Sequence, residues 1–171
     1  MFPDPAQYLI SLPQVMGPFA GGAFEHGSAY WTADQMAAAL WLPPGVRPPL
    51  LRSPGEAAAM AGILRGGTLR GLLVDLAMVR HLPREDHWYL HYLGVAGAHQ
   101  GRGLGRLLLA DGLARADADR RPCWLETQLP QNVALYRSVG FEVVAEYDVP
   151  GGGPHFWGMR RRAVRGRSVS R

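Results

Sequence analysis

The sequence predicts an α/β (α+β) fold organised around one central sheet, and three observations carry that reading. Trp88 to Val95 is an apolar and aromatic run of strand length. Gly97, Gly101, Gly103 and Gly105 then crowd into a short turn. Leu104 to Ala118 continues at helical spacing. A strand that stops and a helix that starts across so few side chains leaves backbone N–H groups bare at a helix N-terminus, which is an anion cradle.

Composition limits the remaining choices. At 171 residues one domain is expected, with enough chain to bury a core. The single cysteine, Cys123, allows no intrachain disulfide and favours a reducing compartment; it reads as a small strand hydrophobe. The first basic residue is Arg47, and Pro3, Pro5 and Pro13 break any early apolar run, so a cytoplasmic protein without a leader or membrane span is expected. The net charge of +4 sits at one end: all 14 acidic residues precede Met159, and Arg160, Arg161, Arg162, Arg165, Arg167 and Arg171 follow it. The division expected is a single domain over 1–160 and a basic, disordered tail over 161–171. No aromatic residue interleaves the tail, which argues against base stacking and a nucleic-acid role.

The elements follow in chain order. Asp4 to Gly17 carries Leu9, Leu12 and Met16 on a rough helical face that Pro13 interrupts. Ser28 to Thr32 and Ala37 to Leu42 read as a hairpin about Asp34-Gln35. Ser53-Pro54-Gly55-Glu56 is a helix start, with a capping serine, proline in the first turn and a carboxylate three residues on. That helix should stop at Gly66-Gly67. Leu69, Leu72, Leu73, Leu76 and Val79 then repeat at helical spacing up to Pro83. After Leu104–Ala118 come a strand over Pro122 to Thr127 and a short helix from Asn132 to Val139, ended by Gly140 in a left-handed cap. Phe141 to Val149 and His155 to Arg160 form a last hairpin around Pro150-Gly151-Gly152-Gly153.

Spacing discriminates among glycine motifs. The dinucleotide fingerprint needs a third glycine where Arg106 stands, and the triphosphate loop needs a lysine, of which this chain has none. What remains is Gln100-x-x-Gly103-x-Gly105 between a strand and a helix. This resembles the pyrophosphate loop of the GNAT acetyltransferases. Asn132-x-x-x-Tyr136 followed by Gly140-Phe141 is similar to the second cofactor motif of that family. Trp41-Leu42-Pro43-Pro44-Gly45 and Leu125-Glu126-Thr127 resemble the puromycin N-acetyltransferase-like branch. The resemblance covers about residues 28 to 160. It implies a twisted, mixed, mostly antiparallel sheet with a splayed central strand pair and flanking helices. It also implies a strand–helix unit ahead of Asp4, for which the chain starts too late. On that reading either the N-terminal unit is absent or the start site lies inside the real reading frame, and a chain without the unit can dimerise or bind acyl-CoA without turnover.

The implied activity is direct transfer of acetyl from acetyl-CoA to a primary amine of a small molecule; a protein or peptide acceptor is the alternative. Gln100, Gly101, Arg102, Gly103, Leu104, Gly105 and Arg106 would cradle the diphosphate. Gly103 and Gly105 admit it because neither carries a Cβ. Arg102 and Arg106 would add attraction, though solvated surface arginines are an equal reading. By resemblance, the backbone of Leu93 and Val95 would meet the pantetheine arm, with the Val95 N–H as oxyanion donor. Tyr136 is the candidate general acid for the leaving thiolate, and Asn132, one turn earlier, would bind the pantetheine or cap its helix. Glu126 is the candidate general base, acting through water, or a structural carboxylate. His91 is a second possible base, with a neutral core histidine as the bland reading. His87 and His91 lack a third ligand, so no metal is expected.

Overall fold

In a computed structural model of the chain, residues 20, 22–46, 48 and 67–164 are described. The helices expected over Asp4–Gly17 and Ser53–Arg65 lie outside them. After a short helical segment at 22–25 come β1 (Ala29–Trp31), β2 (Ala37–Leu42), α1 (Thr68–His81) and β3 (Trp88–Val95). A 3₁₀ turn at Gly97–His99 leads into α2 (Leu104–Ala118), followed by β4 (Cys123–Thr127), α3 (Pro130–Arg137), β5 (Glu142–Asp148) and β6 (His155–Arg161). The six strands make one mixed sheet in the order β1-β2-β3-β4-β6-β5, antiparallel throughout except between β3 and β4.

That parallel pair needs a crossover, and α2 supplies it. Only Trp88 with Cys123 and Tyr89 with Trp124 are in register. Beyond them the two strands separate, so the middle of the sheet opens into a cleft at the C-terminal end of β3.

A bulge in β3 fixes what faces that cleft. Ala37 to Leu40 oppose Val95 to Tyr92 one for one, and then Trp41 opposes Leu90, which leaves His91 as an extra residue. The extra residue changes the phase of the alternation. Trp88, Leu90, Leu93 and Val95 all turn to one face, and Tyr89 and Tyr92 turn to the other.

The first face packs against α2 and α3 around Trp41, Leu109, Leu125, Phe141 and Met159, all at most 2% exposed. α2 approaches β2 closely because Gly112 has no side chain: a Cβ there would lie 2.2 Å from the Trp41 indole. The second face carries Leu40, Leu42, Tyr89 and Trp124, with Met78 and Leu82 from the α1 end, and Ala77 of α1 packs on Tyr147 and Phe156. The apolar repeat in α1 is broader than its buried side, since Leu69, Leu72, Leu76 and Val79 point outward.

Two boundaries differ from the sequence reading. α3 starts at Pro130, with Leu129 as its N-cap, so Asn132 lies inside the first turn and caps nothing. The C-terminal strand runs through Arg161, one residue past its expected end, so Arg161 belongs to the sheet. The Arg161 guanidinium makes a two-pronged ion pair with Asp117 at 2.8 and 2.9 Å and donates to the Val139 carbonyl, which explains why it is buried. Gly140 takes the expected left-handed conformation, at φ 93°.

Candidate active site

The glycine turn has the backbone geometry of an anion cradle. Gly101 and Gly103 adopt left-handed φ values of 76° and 82°, a region that costs a residue with a Cβ, and Gly103 is the N-cap of α2. The helix takes its first amide bond at Leu107, which donates to the Gly103 carbonyl at 3.0 Å. Among the described residues no backbone carbonyl accepts from the amides of residues 101–106. Those N–H groups, at the positive end of a 15-residue helix, are free for an anion. Arg102 and Arg106 are exposed beside them. Gly105 sits where α2 meets β3 and α3, and a Cβ there would rest at 3.8–3.9 Å from Leu135, Leu93 and Val95. The Gln100 amide donates to the Val95 carbonyl at 3.2 Å and so ties the turn to the end of β3.

The β3 backbone points into the cleft at the two candidate positions. The Ala96 N–H donates toward β2, to the Met36 carbonyl at 2.8 Å. Polar groups alternate sides along a strand. Val95 and Leu93 therefore turn their N–H and C=O away from β2, toward the gap left by β4. The bulge at His91 makes this compatible with the other end of the strand, where the Trp88 N–H donates toward β4, to Pro122 at 2.9 Å.

Tyr136 and Glu126 stand on opposite faces of β4 at this gap. Tyr136 lies on α3 in the first-face core, 6% exposed, its ring edge-on to Phe141 with centroids 6.0 Å apart. Burial pushes its phenol up to about 12, so it stays protonated at neutral pH. Asn132 shares its side of α3, and its amide donates to the Thr127 hydroxyl at the end of β4 at 3.4 Å.

Glu126 projects from the other face of β4. The Tyr89 hydroxyl donates to its Oε2 at 2.9 Å, and the Tyr147 hydroxyl stands 3.5 Å from Oε1. Burial pushes the carboxyl up to about 7; the Tyr89 and Tyr147 hydroxyls oppose that rise without cancelling it. Tyr89 is held well above the usual phenol range, by burial first and by the Glu126 charge second. Tyr147 comes from β5, two strands away. It reaches Glu126 across Gly158, the residue opposite both Glu126 and Ala145. His81 of α1 stacks on the Tyr147 ring at 3.7 Å, nearly parallel, with its Nδ1 2.7 Å from the Ala77 carbonyl. On the same face, Asp75 is lifted to about 6 by burial and lies near Tyr92, which burial lifts to about 12.

The structure places the candidates on neighbouring elements: the turn follows β3, which carries Leu93 and Val95, Tyr136 packs on one face of the sheet, and Glu126 projects from the other face of β4. His91 is the bulge residue, its ring 5.4 Å from that of Tyr89 and 4.3 Å from that of Tyr92. Tyr89 and Tyr147 were missed as partners of Glu126. The strand alternation at Trp88-Tyr89-Leu90 could have placed Tyr89 on the Glu126 face, but no local signal marks Tyr147. Cys123 is buried and pushed to about 12, as an inert strand residue.

Residues 23–141 match the family model described as acetyltransferase (GNAT) family. The chain belongs to the GNAT family. Over 104 residues it is 36% identical to the N-alpha-acetyltransferase RimI of Mycobacterium tuberculosis, an alignment covering 61% of this chain and 56% of that relative. The chain therefore matches little more than half the length of that GNAT protein. Among solved structures, a histone acetyltransferase HPA2 and related acetyltransferase from Corynebacterium glutamicum superposes with a TM-score of 0.63 at 20% identity, over 96% of this chain and 79% of the other. Arylalkylamine N-acetyltransferase 2 from Aedes aegypti gives 0.54 at 11% identity, over 78% and 71%. These two likenesses establish the GNAT fold. Among the described residues no helix is long and apolar enough to cross a membrane.

Proposed function

We propose that this chain is an N-acetyltransferase that moves acetyl from acetyl-CoA to a primary amine by direct attack. The observation that carries the proposal is the cleft between β3 and β4. On this reading a group held in the plane of the sheet there would be approached by Glu126 from one face and by Tyr136 from the other. GNAT acetyltransferases use acetyl-CoA, and the parts of the cleft suit that molecule. Amides 101–106 would bind the diphosphate, each bond to a charged group worth about 1.5–3 kcal/mol. Arg102 and Arg106 would add long-range attraction. Leu93 and Val95 would pair with the amides of the pantetheine arm, Asn132 would hold its far side, and the Val95 N–H would face the thioester oxygen as negative charge develops.

Glu126, half protonated near neutral pH, is matched to taking a proton from an ammonium substrate, directly or through one water. The amine nitrogen then attacks the thioester carbon. As the C–S bond breaks, Tyr136 gives its proton to the leaving sulfur; the nitrogen of the new amide gives up its extra proton to water, Tyr136 is reprotonated from solvent, and Glu126 releases the proton it took.

The acceptor we favour is a small-molecule amine, in line with the segments that resemble the puromycin N-acetyltransferase branch. A peptide α-amine is the second reading, and the 36% identity to RimI supports it. Both are tested with the intact protein. Acetyl-CoA should raise the melting temperature in proportion to about RT ln([L]/Kd), and Gly103→Glu should abolish the shift. Turnover is then compared between a panel of small primary amines and a panel of peptides with free N-termini. Absence of a shift in folded wild type would defeat the cofactor assignment. Turnover of peptides alone would move the acceptor to the second reading.

A further inference from the structure

The two oxygens of Glu126 are treated differently by their surroundings. Oε2 accepts from the Tyr89 hydroxyl at 2.9 Å, ordinary hydrogen-bond range. Oε1 faces Tyr147 at 3.5 Å, too long to engage its lone pairs strongly. Tyr89 is 2% exposed, and its strand is anchored by β2 on one side and β4 on the other, so its hydroxyl has little freedom. Tyr147 is fixed from behind by the His81 stack. The carboxylate is thereby prevented from spinning, with one oxygen tied and the other available.

We propose that Tyr89 is a positioning residue for the proton transfer: it ties Oε2 of Glu126 and leaves Oε1 as the oxygen that accepts the amine proton. The inference rests on the reading of Glu126 as the base. In the step, an N–H bond of the ammonium breaks, its electron pair stays on nitrogen, and an O–H bond forms at Oε1. Tyr89 keeps its own proton throughout, because burial and the Glu126 charge both disfavour phenolate.

The groups facing Glu126 define what else could titrate there. β3 contributes Tyr89, with His91 beside it and Tyr92 beyond. β5 contributes Tyr147, and α1 places His81 behind that ring and Asp75 near Tyr92. β6 contributes Arg160, already paired with Glu85. None of these replaces the Tyr89 bond to Oε2.

The test is the pH profile of kcat/KM for Tyr89→Phe in the intact protein, using whichever amine the acceptor screen has shown to be turned over. Loss of a hydrogen bond to the charged form should move the rising limb upward by about one pH unit, so activity falls about fivefold at pH 7 and recovers above pH 9. KM for acetyl-CoA should stay within about twofold, as expected when only a proton-transfer partner is disturbed. A pH-independent loss, or an unmoved limb, overturns the proposal. Should Tyr89→Phe fail to fold, ¹³C-carboxyl NMR of glutamate-labelled wild type decides. The Glu126 resonance, assigned by its loss in Glu126→Gln, must titrate with a slowly exchanging Tyr89 hydroxyl proton coupled to it. A fast-exchanging hydroxyl overturns the proposal. Glu126→Gln separates the two failures: full activity with an unmoved limb removes the base itself, and inactivity alongside a normal Tyr89→Phe profile removes only the positioning role.

Discussion

The two faces of β4 teach opposite lessons about how a buried side chain is kept useful. On the first face Leu125 packs in the apolar core with Tyr136, whose phenol is kept neutral by burial. On the second face Glu126 is only partly buried and faces the hydroxyls of Tyr89 and Tyr147. Burial alone suffices to make a proton donor of a phenol, because the protonated form is the neutral one. A carboxyl that must lose its proton near neutral pH needs burial to raise it and hydroxyl donors to limit the rise. The chemistry proposed for the cleft rests on that difference.

The largest effect that would break the comparison is Glu126→Gln. Turnover at pH 7 should fall by about 10²–10⁴-fold, the usual range for a positioned base, measured as kcat/KM under saturating acetyl-CoA. Stability should change in the other direction. A carboxyl raised to about 7 in the folded state, against an ordinary value of 4.5, costs nothing below the ordinary value. The cost grows as pH rises between the two values and is fully present above about 7, on the order of 3 kcal/mol. Melting temperature of the wild type should therefore fall between pH 5 and 7, and Glu126→Gln should flatten that slope. An equal slope in both proteins would mean that the second face tolerates charge as water does.

On the first face, Tyr136→Phe should cost about 10²-fold in kcat and leave acetyl-CoA binding intact, with no slope of stability against pH in the neutral range. Loss of binding would instead make the tyrosine a pantetheine contact. Gly112→Ala tests the scaffold under that face. A methyl group driven against the Trp41 indole should destabilise the fold by about 1–3 kcal/mol, read as a lower urea midpoint, because α2 cannot back away without dragging its glycine turn. The smallest effect belongs to the exposed arginines. Arg102→Ala and Arg106→Ala should each weaken acetyl-CoA binding by a few fold at low salt and by less at high salt.

Much of this molecule was legible along the chain. The β3 and α2 boundaries, the hairpins and the left-handed Gly140 follow from hydrophobic period and from the few residues that tolerate special backbone angles, and both are local properties. So is the glycine turn, because a bare helix N-terminus needs no distant partner to attract an anion. Tertiary structure decided the rest. Whether Arg161 is tail or strand depended on Asp117, 44 residues earlier. The phase of β3 depended on a bulge that only pairing with β2 reveals. The surroundings of Glu126 depended on β5 lying beyond β6, which brings Tyr147 across Gly158 from a strand that is not a neighbour of β4. Period and turn chemistry act over a few residues, so a sequence carries them openly; the protonation of a buried carboxyl is set by groups that meet only when the sheet is assembled.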